Sequence, residues 1–232
     1  MRGASVTARL SIAWLAFAVS LPADTGVLIQ GDRQQPNPAV FSLDEMALEI
    51  LIDNGVARIR VRQIFGNHSA AIQEGVYEFA LPDKATISDF TVWDDVTRIP
   101  GVILERRRAG EIYEQAKAQA IDPGLLQMGE RTAGENGAPV RPSQEFTARI
   151  VPIPAFGTKR IEIEYQHPVA VERYQSELVV PLKPDVYGVQ TAGHLTITLE
   201  LRSAHAIRTF EAMAKTYPLQ IRERGPNLVK AE

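Results

Sequence analysis

The sequence predicts a mainly β protein, an antiparallel β-sandwich with one inserted α-helix at about residues 108–120. Three observations predict it. Apolar and polar residues alternate with period two through most of the chain, as in half-buried strands. Clusters of Gly, Pro, Asn and Asp separate about ten such runs at near-regular spacing. One segment breaks the rule. In "AGEIYEQAKAQA" the residues Ala109, Ile112, Tyr113, Ala116 and Ala120 share one helical face.

The 232 residues are 45% hydrophobic, enough for a sizeable core. Lys and Arg number 25 against 28 Asp and Glu, a net charge of −3. That balance gives no electrostatic reason to expect nucleic acid or an anionic membrane as partner. There is no cysteine, so disulfides, thiolate nucleophiles and cysteine metal sites are excluded.

The N-terminus reads as a targeting segment. Arg2 and Arg9 precede "LSIAWLAFAVSL", Leu10 to Leu21, an uncharged apolar run. It is too short to span a bilayer and suits a secretory core. Residues 1–23 are therefore expected to be a signal peptide, cut after Ser20 or after Ala23. Residues 24–39, with "GDRQQPNP", read as a linker. An exported chain without cysteine points to a bacterial periplasm or cell surface.

The strands follow in order. "EMALEILI" places Met46, Leu48, Ile50 and Ile52 on one face. "DNG", Asp53 to Gly55, is a hairpin turn signal. "VARIRVRQIF" places Ala57, Ile59, Val61, Gln63 and Phe65 on one face and Arg58, Arg60 and Arg62 on the other, which reads as solvated. Gly66-Asn67 reads as a second turn, with Asn67 suited to a positive φ. "GVYEFALPD" aligns Tyr77, Phe79 and Leu81, and Pro82 stops it. "TISDFTVW" and "PGVILE" flank "DDVTRI" and read as a further hairpin. "EFTARIV", "TKRIEIEY", "ELVVPL" and "HLTITLEL" follow, the last being the cleanest alternation in the chain. Strict one-face alternation argues against a parallel, doubly covered sheet.

The helix is expected to start near Arg108, because Arg106 to Arg108 inside its first turn would oppose the dipole. Pro123 and Gly124 lie beyond its end. Too short to stand alone in water, it is expected to plug the sandwich with Tyr113 as anchor. Gly129 to Glu145, with three glycines and two prolines, reads as a long loop.

These residues, taken together, resemble a known family. "QIFGN" carries Gln63, Phe65 and Asn67; "YEFALP" carries Tyr77, Phe79 and Pro82. Phe90, "VILE" with Glu105, and "AGEIYEQA" with Ala109, Tyr113 and Ala116 follow. "GLL", Phe146, "VPIP" and "IEIEY" with Tyr165 complete the order. The series, from about Val40 to Gly188, is similar to the vault protein inter-alpha-trypsin (VIT) domain. The Gly/Pro-rich expansion at 129–145 departs from it. The resemblance implies a non-enzymatic interaction or scaffold module, often found before a von Willebrand type A domain, with no cofactor or metal of its own. Residues 40–190 would form that domain. Residues 191–232 would be a further β segment leading towards a domain this sequence does not contain. The implied partner is a protein or an adjacent domain, with no nucleic acid and no membrane contact beyond export. Gln63, Phe65, Asn67, Tyr77, Phe79, Pro82, Glu105, Ala109, Tyr113, Ala116, Phe146 and Tyr165 are expected to be structural.

Chemical candidates are few. His68, His167, His194 and His205 lack ligand spacing. Asp89, Asp94 and Asp95 offer a weak cation cluster, and Glu105 to Arg108 a weak anion site. "NHS", Asn67 to Ser69, is formally a glycosylation sequon, though a sugar at so tight a turn is not expected. No nucleophile elbow, P-loop or dinucleotide fingerprint is present. The competing reading is a secreted sandwich with its own pocket, carbohydrate-binding or hydrolytic. Trp93 is its aromatic candidate, unless that side chain is core, since alternation puts it on one face with Ile87 and Thr91.

Overall fold

Alternating runs become strands, and the strands form two main sheets. The structure, a computed structural model, describes residues 26–82, 84–104, 125–131, 143–172, 175–178, 180, 192–212 and 218–232, with only the backbone described at residues 80, 102–104, 125–131, 143–145 and 172. Fifteen strands lie in them: β1 (Val27–Gln30), β2 (Phe41–Asp53), β3 (Val56–Asn67), β4 (Gln73–Leu81), β5 (Thr86–Asp94), β6 (Thr97–Pro100), β7 (Val102–Leu104), β8 (Leu125–Arg131), β9 (Ser143–Ile153), β10 (Thr158–Pro168), β11 (Val171–Glu172), β12 (Gln175–Ser176), β13 (Ala192–Arg202), β14 (Ile221–Arg224) and β15 (Leu228–Ala231). A five-stranded sheet has the order β1-β4-β9-β8-β7, and an eight-stranded sheet β14-β15-β13-β2-β3-β10-β5-β6. β11 and β12 form a small ribbon. Among the described residues no helix is long and apolar enough to cross a membrane.

The inward faces meet in one hydrophobic cluster. Leu28, Tyr77, Phe79 and Ile150 come from the smaller sheet, and Ile59, Phe65, Phe90 and Ile163 from the larger. Ring contacts tie the sheets together. Phe65 meets Tyr77 edge-on at 6.0 Å, Tyr77 stacks on Phe90 at 6.4 Å, and Phe79 lies 6.0 Å from Tyr165. The β2–β3 turn is the one the sequence predicts. Asn54 and Gly55 have φ of 46° and 87°, the left-handed pair that a two-residue hairpin requires.

Several expectations need correction. The sheets are mixed: β13 runs parallel to β2 and β7 parallel to β8. Alternation reports that one face is solvated. It does not report the direction of the neighbouring strand. The linker assigned to 24–39 contains β1, which pairs with β4 and buries Val27, Leu28 and Ile29. The return strand after β5 is Thr97–Pro100. "PGVILE" is not that return, since Val102–Leu104 joins the smaller sheet beside β8. The segment assigned to a loop at 129–145 is strand at both ends, because Gly129 to Arg131 pair with Ser143 to Glu145. "ELVVPL" carries no strand at its described positions, although Leu178 and Val180 pack against the core. The expected helix at 108–120, with Glu105, Ala109, Tyr113 and Ala116, lies outside the described residues.

Candidate functional site

Alternation puts a polar Gln63 on the inward face of β3, where burial demands a partner. The partner is Tyr77 on β4. Its hydroxyl donates to Gln63 Oε1 at 2.6 Å, and Gln63 Nε2 donates to the carbonyl of Gly26 at 2.8 Å. Gln63 is fully buried and Tyr77 nearly so. A Cβ on Gly26 would sit 1.9 Å from the Tyr77 hydroxyl oxygen. Only glycine fits there, and the network clamps the start of β1 onto the core. Burial holds the Tyr77 and Tyr165 phenols well above their ordinary pKa. They are neutral at physiological pH, and the Tyr77 proton is committed to Gln63. Phe65, Phe79, Phe146 and Tyr165 are core residues. Pro82 follows β4, and its carbonyl accepts the Ala85 amide at 3.0 Å.

Asn67 does something other than expected. It is the last residue of β3 and is absent from the positive-φ residues, which are Asn54, Lys84, Asp95 and Phe156. Its side chain works instead. Nδ2 donates to the carbonyls of Pro154 at 2.9 Å and Ala71 at 3.0 Å, and reaches that of Ile153 at 3.3 Å. Oδ1 accepts from the Ser69 amide at 2.9 Å and from Ser69 Oγ at 2.8 Å. One buried amide thus braces the β3–β4 loop and the β9–β10 loop together. The sequon nitrogen is enclosed and fully engaged. Two of its acceptors lie 86 and 87 residues away, so no local pattern could reveal this role.

The chemical candidates do not converge. His68 Nε2 lies 2.8 Å from Ser42 Oγ, and Ser42 Oγ donates to Asp44. The carboxylate holds the serine and not the histidine, which inverts the order a hydrolytic triad needs. Asp89 faces Arg98 at 2.6 Å, and Asp94 faces the buried Lys159 at 3.2 Å. These two acids each meet a cation, so the weak cluster they could make with Asp95 is not assembled. Among the described residues no three metal-ligating side chains gather. A bulge between Glu164 and Tyr165 in the β10–β5 pairing separates the face expected for Trp93. Ile87 pairs with Tyr165, whereas Trp93 pairs with Arg160. Phe90 and Val92 are the core residues of β5. The Arg160 guanidinium lies 3.6 Å from the Trp93 ring centroid, so one face of this aromatic is already covered.

The outer face of the larger sheet is an ion-pair ladder. Arg60 pairs with Glu164 at 2.8 Å and Glu49 at 3.4 Å, and Arg62 with Glu45 at 3.5 Å. A shallow, open depression lies at the β2–β3 turn, lined by Asp53, Asn54, Glu200, Arg202 and Lys230. Arg202 and Glu200 pair at 2.6 Å within it. Gln63 with Tyr77, and Asn67, therefore brace strands and loops against one another.

The chain is 25% identical over 189 residues to the bovine (Bos taurus) inter-alpha-trypsin inhibitor heavy chain H3, covering 81% of this chain. It is 26% identical over 145 residues to the bovine heavy chain H4, covering 62% of this chain. It spans only 20% and 14% of the length of those relatives. A Legionella pneumophila protein described as nutrient-binding aligns over 90% of this chain and 65% of its own, at 9% identity and a TM-score of 0.48. The model of the vault protein inter-alpha-trypsin domain matches residues 43–165, and the chain belongs to that family.

Proposed function

We propose that this chain is a non-enzymatic, exported interaction module that supports a neighbouring von Willebrand type A domain at a bacterial periplasm or cell surface. In this reading residues 1–23 are the signal peptide, and the partner is a protein or adjacent domain. No cofactor is required. The observation that carries it is the use made of the family residues. Gln63, Asn67 and Tyr77 are spent on bracing strands and loops, which leaves a rigid scaffold. The relatives are heavy chains of a protease inhibitor, several times longer than this chain, which fits a module working beside other domains.

The test is the whole gene product, with whatever is encoded past Glu232. Type A and VIT domains separated by protease cleavage should re-associate in a titration. A gene without a type A domain, or a domain that does not bind, would overturn the reading. N-terminal sequencing of exported material should find Leu21 or Asp24 first.

A further inference from the structure

Two short loops at one end of the molecule each hold a large apolar side chain out to solvent. They are residues 68–72 between β3 and β4, and 154–157 between β9 and β10. Ile72 is 69% exposed and Phe156 74% exposed. Residues 63–73 and 150–158 contain no Asp, Glu, Lys or Arg, in a chain that is 23% charged.

The loops are tied to each other. Asn67 binds carbonyls in both, and the Phe156 amide donates to the Ser69 carbonyl at 3.1 Å. The Gly157 amide donates to Pro154 O at 3.1 Å, and the Asn67 amide to Gly157 O at 2.8 Å. Phe156 also has a φ of 52°. That region suits glycine or asparagine and strains a bulky side chain. A ring so exposed gains little from burial in return. The molecule thus holds two apolar side chains outward on a rigid mount, one of them at a cost in backbone strain.

We propose that Ile72 and Phe156 form a docking knob that inserts into an apolar socket of a neighbouring folded protein domain. This rests on the module reading above. The carbonyls of Ser69, Ala71, Pro154 and Gly157 are already bonded internally, so the loops offer no strand edge to an extended peptide. A projecting tip needs a concave surface, which a folded domain supplies. The loops carry no Lys or Arg, and two apolar side chains without basic residues hold a protein on a bilayer only marginally.

The test uses the whole gene product in the cells that make it. Phe156 is replaced by the photo-crosslinker p-benzoylphenylalanine, and in a second protein Ile72 is. After illumination the joined peptides are mapped. Both positions should join the same folded protein domain. The same probe at Val96, which is 80% exposed on the β5–β6 turn, should not. Adducts with lipid, adducts with another copy of residues 26–232, no adducts, or equal labelling from Val96 would each overturn the knob. Phe156→Asn should leave the melting temperature of the purified chain unchanged or raised, and cut labelling from position 72 by about tenfold or more, which is roughly 1.4 kcal/mol of contact. A clear fall in melting temperature would make Phe156 a structural residue and overturn the assignment. An adduct with a folded domain that is not type A sinks the type A reading alone. A type A domain that binds the chain but is not reached by the probe sinks the knob alone.

Discussion

The two halves of the eight-stranded sheet have the same patterning and different burial. In β3 and β10, Ile59, Val61, Ile161 and Ile163 are all buried, each at most 2% exposed. In β13, Leu195, Ile197 and Leu199 are half-buried, although "HLTITLEL" alternates more cleanly than either. The cross-sheet ring contacts fall on β3, β5 and β10. The larger sheet has eight strands and the smaller five. Alternation therefore reports which face is apolar, and what packs against that face decides how deeply it is covered.

Paired truncations sharpen this contrast. Tyr77→Ala removes a ring that touches Phe65 and Phe90 and leaves Gln63 Oε1 without its donor. It is expected to cost about 3–5 kcal/mol in a denaturant melt. Ile197→Ala, in the half-covered strand, should cost less than about 2 kcal/mol, because part of its surface is already wet. Equal losses would mean the two halves are equally covered in solution. Asn67→Ala keeps the core volume nearly intact but strands the carbonyls of Ala71 and Pro154. It should cost about 1–3 kcal/mol, and hydrogen exchange should rise in residues 68–72 and 154–157 together. A rise in one loop only would refute a shared brace.

The alkaline limb of stability probes the covered half through two tyrosines. Tyr77 and Tyr165 both lie under it, and burial raises both phenols above the ordinary value near 10. The unfolded chain then ionises first. The stability they contribute is fully present below about pH 10 and is lost as the pH rises beyond it, at up to about 1.4 kcal/mol per pH unit for each tyrosine. Tyr77→Phe should remove one of the two slopes. An unchanged slope between pH 10 and 11 would show that the phenol ionises equally in both states.

Much of the fold was legible. The inward faces of β2, β3, β4 and β10, and the Asn54–Gly55 turn, follow from period two and turn chemistry. Three features were not. β1 hides in a polar context, since three apolar residues beside "GDRQQPNP" give no period. The parallel partnership of β13 with β2 joins segments about 150 residues apart, and direction leaves no trace in alternation. The bulge opposite Glu164 shifts the parity of β5, which a fixed two-residue count cannot follow. At the candidate site, Gln63 was conspicuous as a polar residue in an apolar row. Its bond to Gly26 and the carbonyls around Asn67 arise only from tertiary approach.

The smallest expected effect concerns the face that both halves present to water. Arg60 pairs with Glu164 and Glu49 on the covered half, and Arg202 pairs with Glu200 on the half-covered one. Both arginine side chains are about half exposed, at 50% and 54%. Exposed pairs of this kind contribute roughly 0–1 kcal/mol, since solvent screens the attraction and ordering two long side chains opposes it. Arg60→Ala and Arg202→Ala should therefore each cost less than about 1 kcal/mol, regardless of the unequal core beneath them. Added salt should shrink both effects, because at 1 M the screening length falls to about 3 Å. Glu164 is the one partner that is largely shielded, at 16% exposure, so Arg60→Ala should be the larger of the two. If Arg60→Ala instead cost more than about 2 kcal/mol and ignored salt, the outer ladder would be a structural layer in its own right, and inward coverage would no longer explain how the halves differ.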